Sequence, residues 1–237
     1  MAGTIILVGA DKGGTGKTMV CRAVLEYLTA RNIAARAFDT ECPAGDLVRF
    51  AKDAKIIDIG DVSGQMAVFD TINDTTLTVV DLRAGTLSPT ITALDHAKML
   101  DEVRAGTVKL VLVHVLGPTM ASVAEITAAA QQIGGGARHL LVKNHINASQ
   151  FFDWDNGEAQ QVFARMADVT VNVPQLTEMA CETIQKSGGS FLGFAQDQTQ
   201  SRVLRGLTRT WLESVWSEFD RVRLIDVPTL ADVAVPG

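Results

Sequence analysis

The chain has 237 residues, 47% of them hydrophobic, with 21 basic side chains against 27 acidic ones and a net charge of -6. That length suits one α/β domain with a substantial core, and the acidic balance argues against an extended basic surface for nucleic acid while allowing a local patch. No segment approaches the ~18 apolar residues of a membrane span, no charged leader precedes an apolar stretch, and Cys21, Cys42 and Cys181 are too scattered for a disulfide framework or zinc site, so a cytoplasmic protein with reduced thiols and no membrane partner is expected.

The apolar run Ile5-Ile6-Leu7-Val8 predicts a strand over 4–9, followed at once by Asp-Lys-Gly-Gly-Thr-Gly-Lys-Thr at 11–18 and a helical pattern over 17–31. Further strands are expected at 34–38, 76–81, 108–115, 138–143 and 169–173, with a shorter candidate at 55–59. Helices are expected at 87–104, 119–133, 157–167, 175–186 and 198–220, where apolar positions recur at helical spacing. Gly134-Gly135-Gly136 reads as a helix stop between a helix and a strand. The alternation of strand and helix predicts an α/β fold, a single doubly wound domain over 1–237 with a mainly parallel sheet and helices on both faces. The glycine-rich turn ending in Lys-Thr between the first strand and helix is what makes a P-loop NTPase the expectation.

The chemistry begins in the first turn. Gly13, Gly14 and Gly16 let successive backbone N–H groups close around phosphate oxygens, in conformations a side chain would obstruct. The helix that follows adds its N-terminus to the same anion. Lys17 can reach the β/γ-phosphates and the Thr18 hydroxyl can ligate magnesium. Together with Thr15 and Met19 these residues form the expected binding site for a nucleoside triphosphate. Lys12 is a second lysine that an ordinary phosphate loop does not need, and on the strand side of the turn it can point away from its own nucleotide or toward a neighbour's.

In Lys12-Gly13-Gly14-Thr15-Gly16-Lys17-Thr18 the chain resembles the ParA/MinD family of dimerising ATPases, whose first lysine contacts the phosphates bound by the partner subunit. The resemblance implies ATP and Mg2+ as cofactors, a nucleotide-dependent homodimer, and a DNA or protein partner. Ligands of a doubly wound sheet bind beyond the carboxyl ends of its strands, so the segments after each strand carry the rest of the site. Asp39-Thr40-Glu41-Cys42-Pro43 resembles the family's switch I, and Asp81-Leu82-Arg83-Ala84-Gly85 its switch II. Asp81 is suited to hold magnesium, and Gly85 to bring a backbone N–H to the γ-phosphate. Glu41 falls where the family carries the aspartate that positions the attacking water. Its extra methylene moves the carboxylate by about 1.5 Å, a displacement that can cost on the order of 100-fold in rate, so slow hydrolysis is expected. Asp39 is the alternative carboxylate, or an outer ligand of the magnesium.

Asn144 and Pro174 match the positions where the family places an adenine-contacting Asn and a Pro-containing loop; a helix or turn cap is the other reading of Asn144. Phe151-Phe152-Asp153-Trp154-Asp155 can form a docking surface, a lid or a small satellite core. With Phe38-Asp39-Thr40 it resembles the conjugative-plasmid branch of the family, the TraL-like proteins. Leu204, Leu207, Trp211, Val215 and Phe219 form an apolar stripe expected in the core, and Arg202, Arg205 and Arg209 share another face, either a solvated surface or a contact for DNA phosphates. The tail over 224–232 lacks Lys and contains Pro, unlike a basic membrane-binding helix. Two functions compete: a nucleotide-switched dimer in plasmid partition, conjugation or cargo positioning, and a metabolic ligase like dethiobiotin synthetase or a cobyrinate-amidating enzyme. A binding-only relative that has lost turnover through Glu41 is a third. Lys12 favours the switch.

Overall fold

The structure is a computed structural model that describes residues 2–10, 12–73, 75–116, 120–134, 136–146, 151–155, 157, 160–161 and 169–225, the side chains of 120–125 and 152–153 excepted. Seven strands form one sheet: β1 (Gly3–Gly9), β2 (Ala35–Asp39), β3 (Lys55–Ile56), β4 (Leu77–Asp81), β5 (Val108–Leu116), β6 (Arg138–Asn144) and β7 (Val169–Val173), in the order β3-β2-β4-β1-β5-β6-β7. Every described pairing is parallel, with Leu7 opposite Val80 on one side and Leu112 on the other. Parallel strands need crossovers. The helices between strands, among the described residues, are α1 (Lys17–Ala30), α2 (Val62–Phe69), α3 (Leu87–His96), α4 (Met99–Ala105), α5 (Met120–Ile133) and α6 (Phe152–Asp155), and α7 (Glu178–Ser187), α8 (Phe191–Gln196) and α9 (Arg202–Arg221) follow β7.

The continuous apolar runs of the central strands follow from burial on both faces. Ile6 and Val8 of β1 point into a core built with Val20, Val24 and Leu28 of α1 and with Leu212, Val215 and Phe219 of α9. Ile5 and Leu7 point the other way, into a core with Val68 of α2, Leu87 and Ile91 of α3, Leu100 of α4 and Ile133 of α5. The expected doubly wound α/β domain is therefore the observed one.

Local differences from the sequence reading have identifiable causes. The helix expected over 87–104 is two, broken where Lys98 adopts φ 61°. The strand expected at 55–59 lasts only over Lys55–Ile56. The helix expected from 175 begins at Glu178 after the Thr177 cap and ends at Gly188, φ 66°. The one expected from 198 begins at Arg202, where the Ser201 side chain accepts from the Leu204 N–H, and the short helix α8 precedes it. Leu207 is 42% exposed and is not core, because at its level of α9 the buried face passes through Thr208 and Trp211. Residues 158–159 and 162–167 of the helix expected at 157–167, and the tail beyond 225, lie outside the described residues. Phe151 and Trp154 are buried with Leu116, Ile126 and Leu141 as a small satellite core.

α9 fixes the α1 side of the sheet. Its Asp220 accepts from the Tyr27 hydroxyl of α1 at 2.7 Å and from Arg31, which caps α1, at 2.6 Å. On the edge strand β7, Glu218 accepts the Asn172 N–H at 2.9 Å and Arg221 donates to the Thr170 carbonyl at 2.6 Å. These bonds occupy backbone groups that an open edge would offer to another chain.

Buried beneath the opposite face, His114 of β5 and His139 of β6 meet with Nε2 and Nδ1 3.1 Å apart. Burial and then the neighbouring His139 push the pKa of His114 down to about 3. A depressed folded pKa means stability that is present above the unfolded value of about 6.5 and is lost as pH falls toward the folded one. Chemical denaturation between pH 6.5 and 5 is expected to show stability falling by up to roughly 1.4 kcal/mol per pH unit from this group. His114→Leu is expected to flatten that slope, and an unchanged slope would show that other groups set it.

Candidate functional site

At the carboxyl end of β1 the chain turns through Gly14, φ 75°, and Gly16, φ 81°, which caps α1; the first helical bond runs from the Val20 N–H to the Gly16 carbonyl at 3.0 Å. At Gly16 glycine is demanded twice, because a Cβ there would also stand 2.2 Å from Asn144 Nδ2. That amide nitrogen donates to the Thr15 carbonyl at 2.9 Å, so the end of β6 holds the loop from below. Lys17 is largely buried, and its ammonium donates to the Lys12 carbonyl at 3.0 Å, arching over the turn. Lys12 itself is exposed.

The parallel register sets Asp39 of β2 directly opposite Asp81 of β4, both at strand ends. Each is buried, and each is satisfied differently. Asp39 accepts the Glu41 N–H at 2.9 Å through Oδ1 and the Leu47 N–H at 2.8 Å through Oδ2. It thereby closes the switch I loop on itself, and a Cβ at Gly45 would stand 2.0 Å from Oδ2. Asp81 accepts from the Thr18 hydroxyl, and its Oδ1 has no hydrogen-bond partner among the described residues. Burial raises its pKa to about 7, the Thr18 bond and Lys17 opposing and Asp39 and Glu41 reinforcing the shift. A buried carboxylate oxygen without a partner, next to a hydroxyl and a phosphate-binding loop, fits a hard divalent cation. Among the described residues no three His, Cys, Asp or Glu side chains converge as a metal site, so such a cation would draw its remaining oxygens from phosphate and water, as Mg2+ does.

Thr40, which the sequence reading passed over, joins the two switch segments. Its N–H and hydroxyl both donate to the Asp81 carbonyl, at 3.0 and 3.1 Å, and its hydroxyl accepts the Arg83 N–H at 2.7 Å. Gly85 follows, exposed, with φ 78°.

These elements surround a cleft of about 480 Å3 lined by Gly13, Gly14, Gly16, Lys17, Thr18, Met19, Asp39, Glu41 and Asp81. Glu41 is exposed at its rim. The structure thus brings the phosphate loop and the expected carboxylates together. Gly85, Asn144 and Pro174 do not line this cleft: Asn144 is 2% exposed beneath the loop, and the Pro174 carbonyl accepts from the Trp211 indole at 2.7 Å. The arginines of α9 lie elsewhere. Arg209 donates to the Ala195 carbonyl at 3.4 Å, Arg205 sits beside the carboxylate of Asp197, and Arg202 is exposed.

No protein-family model matches the chain, and no curated protein matches it. Solved structures do. The septum site-determining protein MinD of Pyrococcus horikoshii OT3, complexed with Mg-ADP, aligns with 97% of this chain and 100% of its own at a TM-score of 0.55 and 14% identity. The fold is that of MinD. The cell division ATPase MinD of Pyrococcus furiosus aligns with 93% of this chain and 99% of its own at 0.54 and 15% identity. The MinC:MinD cell division complex of Aquifex aeolicus gives 96% and 98% at 0.50 and 12%. The sequence-based resemblance to ParA/MinD proteins is borne out at the level of this shared fold.

Sequence reasoning also missed Arg22, Phe50, Cys181, Gln185 and Phe191, which line the cleft as well. Arg22 carried a signal: it is a charged residue inside the otherwise apolar run Val20 to Val24. Phe50 and Phe191 carried none, because only the fold brings them to α1. Thr40→Val tests the link between the switches. Losing two bonds of about 1 kcal/mol each, the variant is expected to exchange its Arg83 amide hydrogen at least ~10-fold faster. Unchanged exchange would show that the hydroxyl does not hold switch II.

Proposed function

We propose that the chain is a Mg2+-dependent, ATP-binding and ATP-hydrolysing molecular switch of the ParA/MinD type. It works as a cytoplasmic, nucleotide-dependent homodimer that engages DNA or a protein partner in its ATP state, in plasmid partition, conjugation or cargo positioning. The observation that carries this reading is the conjunction at the end of β1 and β4: a left-handed glycine turn, the Lys17 ammonium arched over it, and an Asp81 carboxyl bonded to Thr18 with one buried oxygen that has no partner among the described residues. The Mg-ADP of the Pyrococcus horikoshii MinD and the MinC of the Aquifex aeolicus complex support the nucleotide and the protein partner.

Within this reading Gly13, Gly14, Thr15, Gly16 and Met19 present backbone N–H groups to the phosphates. Lys17 exchanges the Lys12 carbonyl for phosphate oxygens, and Thr18 and Asp81 hold the cation, which neutralises phosphate charge. Asp39 acts at one remove by fixing the Glu41 backbone, and Glu41 orients the attacking water. Gly85 brings its N–H to the γ-phosphate, Asn144 and Pro174 support the loop and the nucleoside, and Lys12 reaches the partner subunit's nucleotide. DNA contact would fall to Arg202, Arg205 and Arg209.

Two substitutions separate binding from pairing. Lys17→Ala is expected to abolish ATP binding in calorimetry, while Lys12→Ala is expected to bind ATP normally but fail to dimerise in sedimentation with a slowly hydrolysed analogue. Retained affinity in the first would reject the site, and normal dimerisation in the second would reject the intersubunit role of Lys12.

Glu41 governs turnover. Wild type is expected to hydrolyse ATP slowly, Glu41→Asp to change the single-turnover rate measurably, and Glu41→Ala to lower it by at least about tenfold, roughly 1.4 kcal/mol in the barrier. Rates within about twofold of wild type in both variants would remove Glu41 from the catalytic group.

A further inference from the structure

The cleft does not end at the phosphate loop. One helical turn past Thr18, about 6 Å along α1, Arg22 lines the same cleft with Phe50, Phe191, Cys181 and Gln185. Its guanidinium is clasped between two rings, 3.6 Å from the Phe50 centroid and 3.9 Å from that of Phe191. The residue is 6% exposed. Among the described residues only Nη2 has a hydrogen-bond partner, the Gly189 carbonyl at 3.1 Å, and the buried Nε has none. Burial lowers the pKa of Arg22 to about 10, against the opposing pull of Glu26, whose carboxylate is spent on the Phe191 and Leu192 N–H groups at 2.8 and 2.6 Å.

A cation stripped of water and left with donors to spare is a costly filler between two phenyl rings, where an aliphatic side chain would pack without penalty. A guanidinium with N–H groups to spare and the Gln185 amide in the same cleft are, by contrast, groups that bond the edge of a nucleobase. A triphosphate anchored at the N-terminus of α1 leaves its nucleoside half to extend beyond the loop.

Building on the nucleotide-binding reading above, we propose that this end of the cleft receives the base and that Arg22 donates to N7 of a purine, making it the residue that selects purine over pyrimidine nucleotides. N7 is an acceptor in adenine and in guanine alike, and pyrimidines have no counterpart on that edge. Asn144 donates through Nδ2 to the Thr15 carbonyl and does not line the cleft, so its support of the nucleoside runs through the loop and contact with N7 falls to Arg22.

Calorimetric titration of wild type and Arg22→Met with ATP, 7-deaza-ATP, CTP and inorganic tripolyphosphate, all with Mg2+, tests the assignment. Wild type is expected to bind 7-deaza-ATP and CTP at least ~10-fold more weakly than ATP. Arg22→Met is expected to bind all three alike and to match wild type for tripolyphosphate, which lacks a nucleoside. Equal binding of ATP and 7-deaza-ATP by wild type, or a preference that persists in Arg22→Met, would overturn it. Tripolyphosphate separates the two levels of failure. Wild type that binds neither it nor ATP refutes the nucleotide reading, whereas tight binding of both without dependence on N7 refutes only the role of Arg22. If Arg22→Met does not fold, the wild-type comparison of ATP with 7-deaza-ATP decides alone.

Discussion

Two buried carboxylates, Asp39 and Asp81, stand opposite each other at the ends of neighbouring parallel strands, and the conformation of the site follows from the need to satisfy both. Like charges in a poorly solvated place cannot both be left to water. Asp39 is satisfied by backbone N–H groups, which forces residues 41–47 into a closed loop around its two oxygens. Asp81 keeps one oxygen without a partner among the described residues, and burial pushes its pKa up to about 7. The first carboxylate therefore shapes a loop, and the second is the one chemically suited to a cation. The division of labour arises because two peptide N–H groups happen to follow Asp39 in reach, while Asp81 is followed by a segment whose own N–H, that of Arg83, is taken by Thr40.

The parts of this arrangement that were legible in the sequence are those fixed by local chemistry. A glycine-rich turn between an apolar strand and a helical pattern needs no tertiary information, and neither does the alternation that predicts a parallel sheet buried on both faces. The strand ends at Asp39 and Asp81 were readable because an acidic residue terminates each apolar run. What escaped was set by the fold. The break at Lys98 depends on a left-handed residue that no glycine or proline announces. The short helix α2 carries little contrast between its faces, since Val62 and Met66 are exposed while Val68 and Phe69 are buried. Thr40 looked like one more loop residue, although a hydroxyl at a strand end can bond across to the neighbouring strand only once the register is known. Arg22 was visible as an anomaly in an apolar run, but its two aromatic partners come from positions 50 and 191 and could not be paired with it in advance.

The arginines of α9 show the same limit from the other side. Sequence places Arg202, Arg205 and Arg209 on one helical face, which is correct, but the face is partly engaged by α8 and the turn after it, through the Ala195 carbonyl and the Asp197 carboxylate. Helical spacing identifies which residues share a face. It says nothing of what else the chain lays against that face.

The site also divides by how its parts are held. α1, which carries Lys17 and Thr18, is anchored by Val20, Val24 and Leu28 in the core and by the Asp220 contacts of α9, so its position depends on extensive apolar burial. The switch loops depend on a few hydrogen bonds through Asp39 and Thr40, each contributing about 1 kcal/mol net. A ligand that prefers a different arrangement of the exposed residues 41–44 and 83–85 has those bonds to overcome while Leu47 and Leu82 stay buried in the core, whereas shifting α1 would require repacking the sheet. The phosphate loop is thereby a fixed reference, and the segments after β2 and β4 are the ones a bound group can rearrange. The freedom left to a bound group therefore lies in the exposed residues of these segments, beside the anchors that Leu47 and Leu82 make in the two cores.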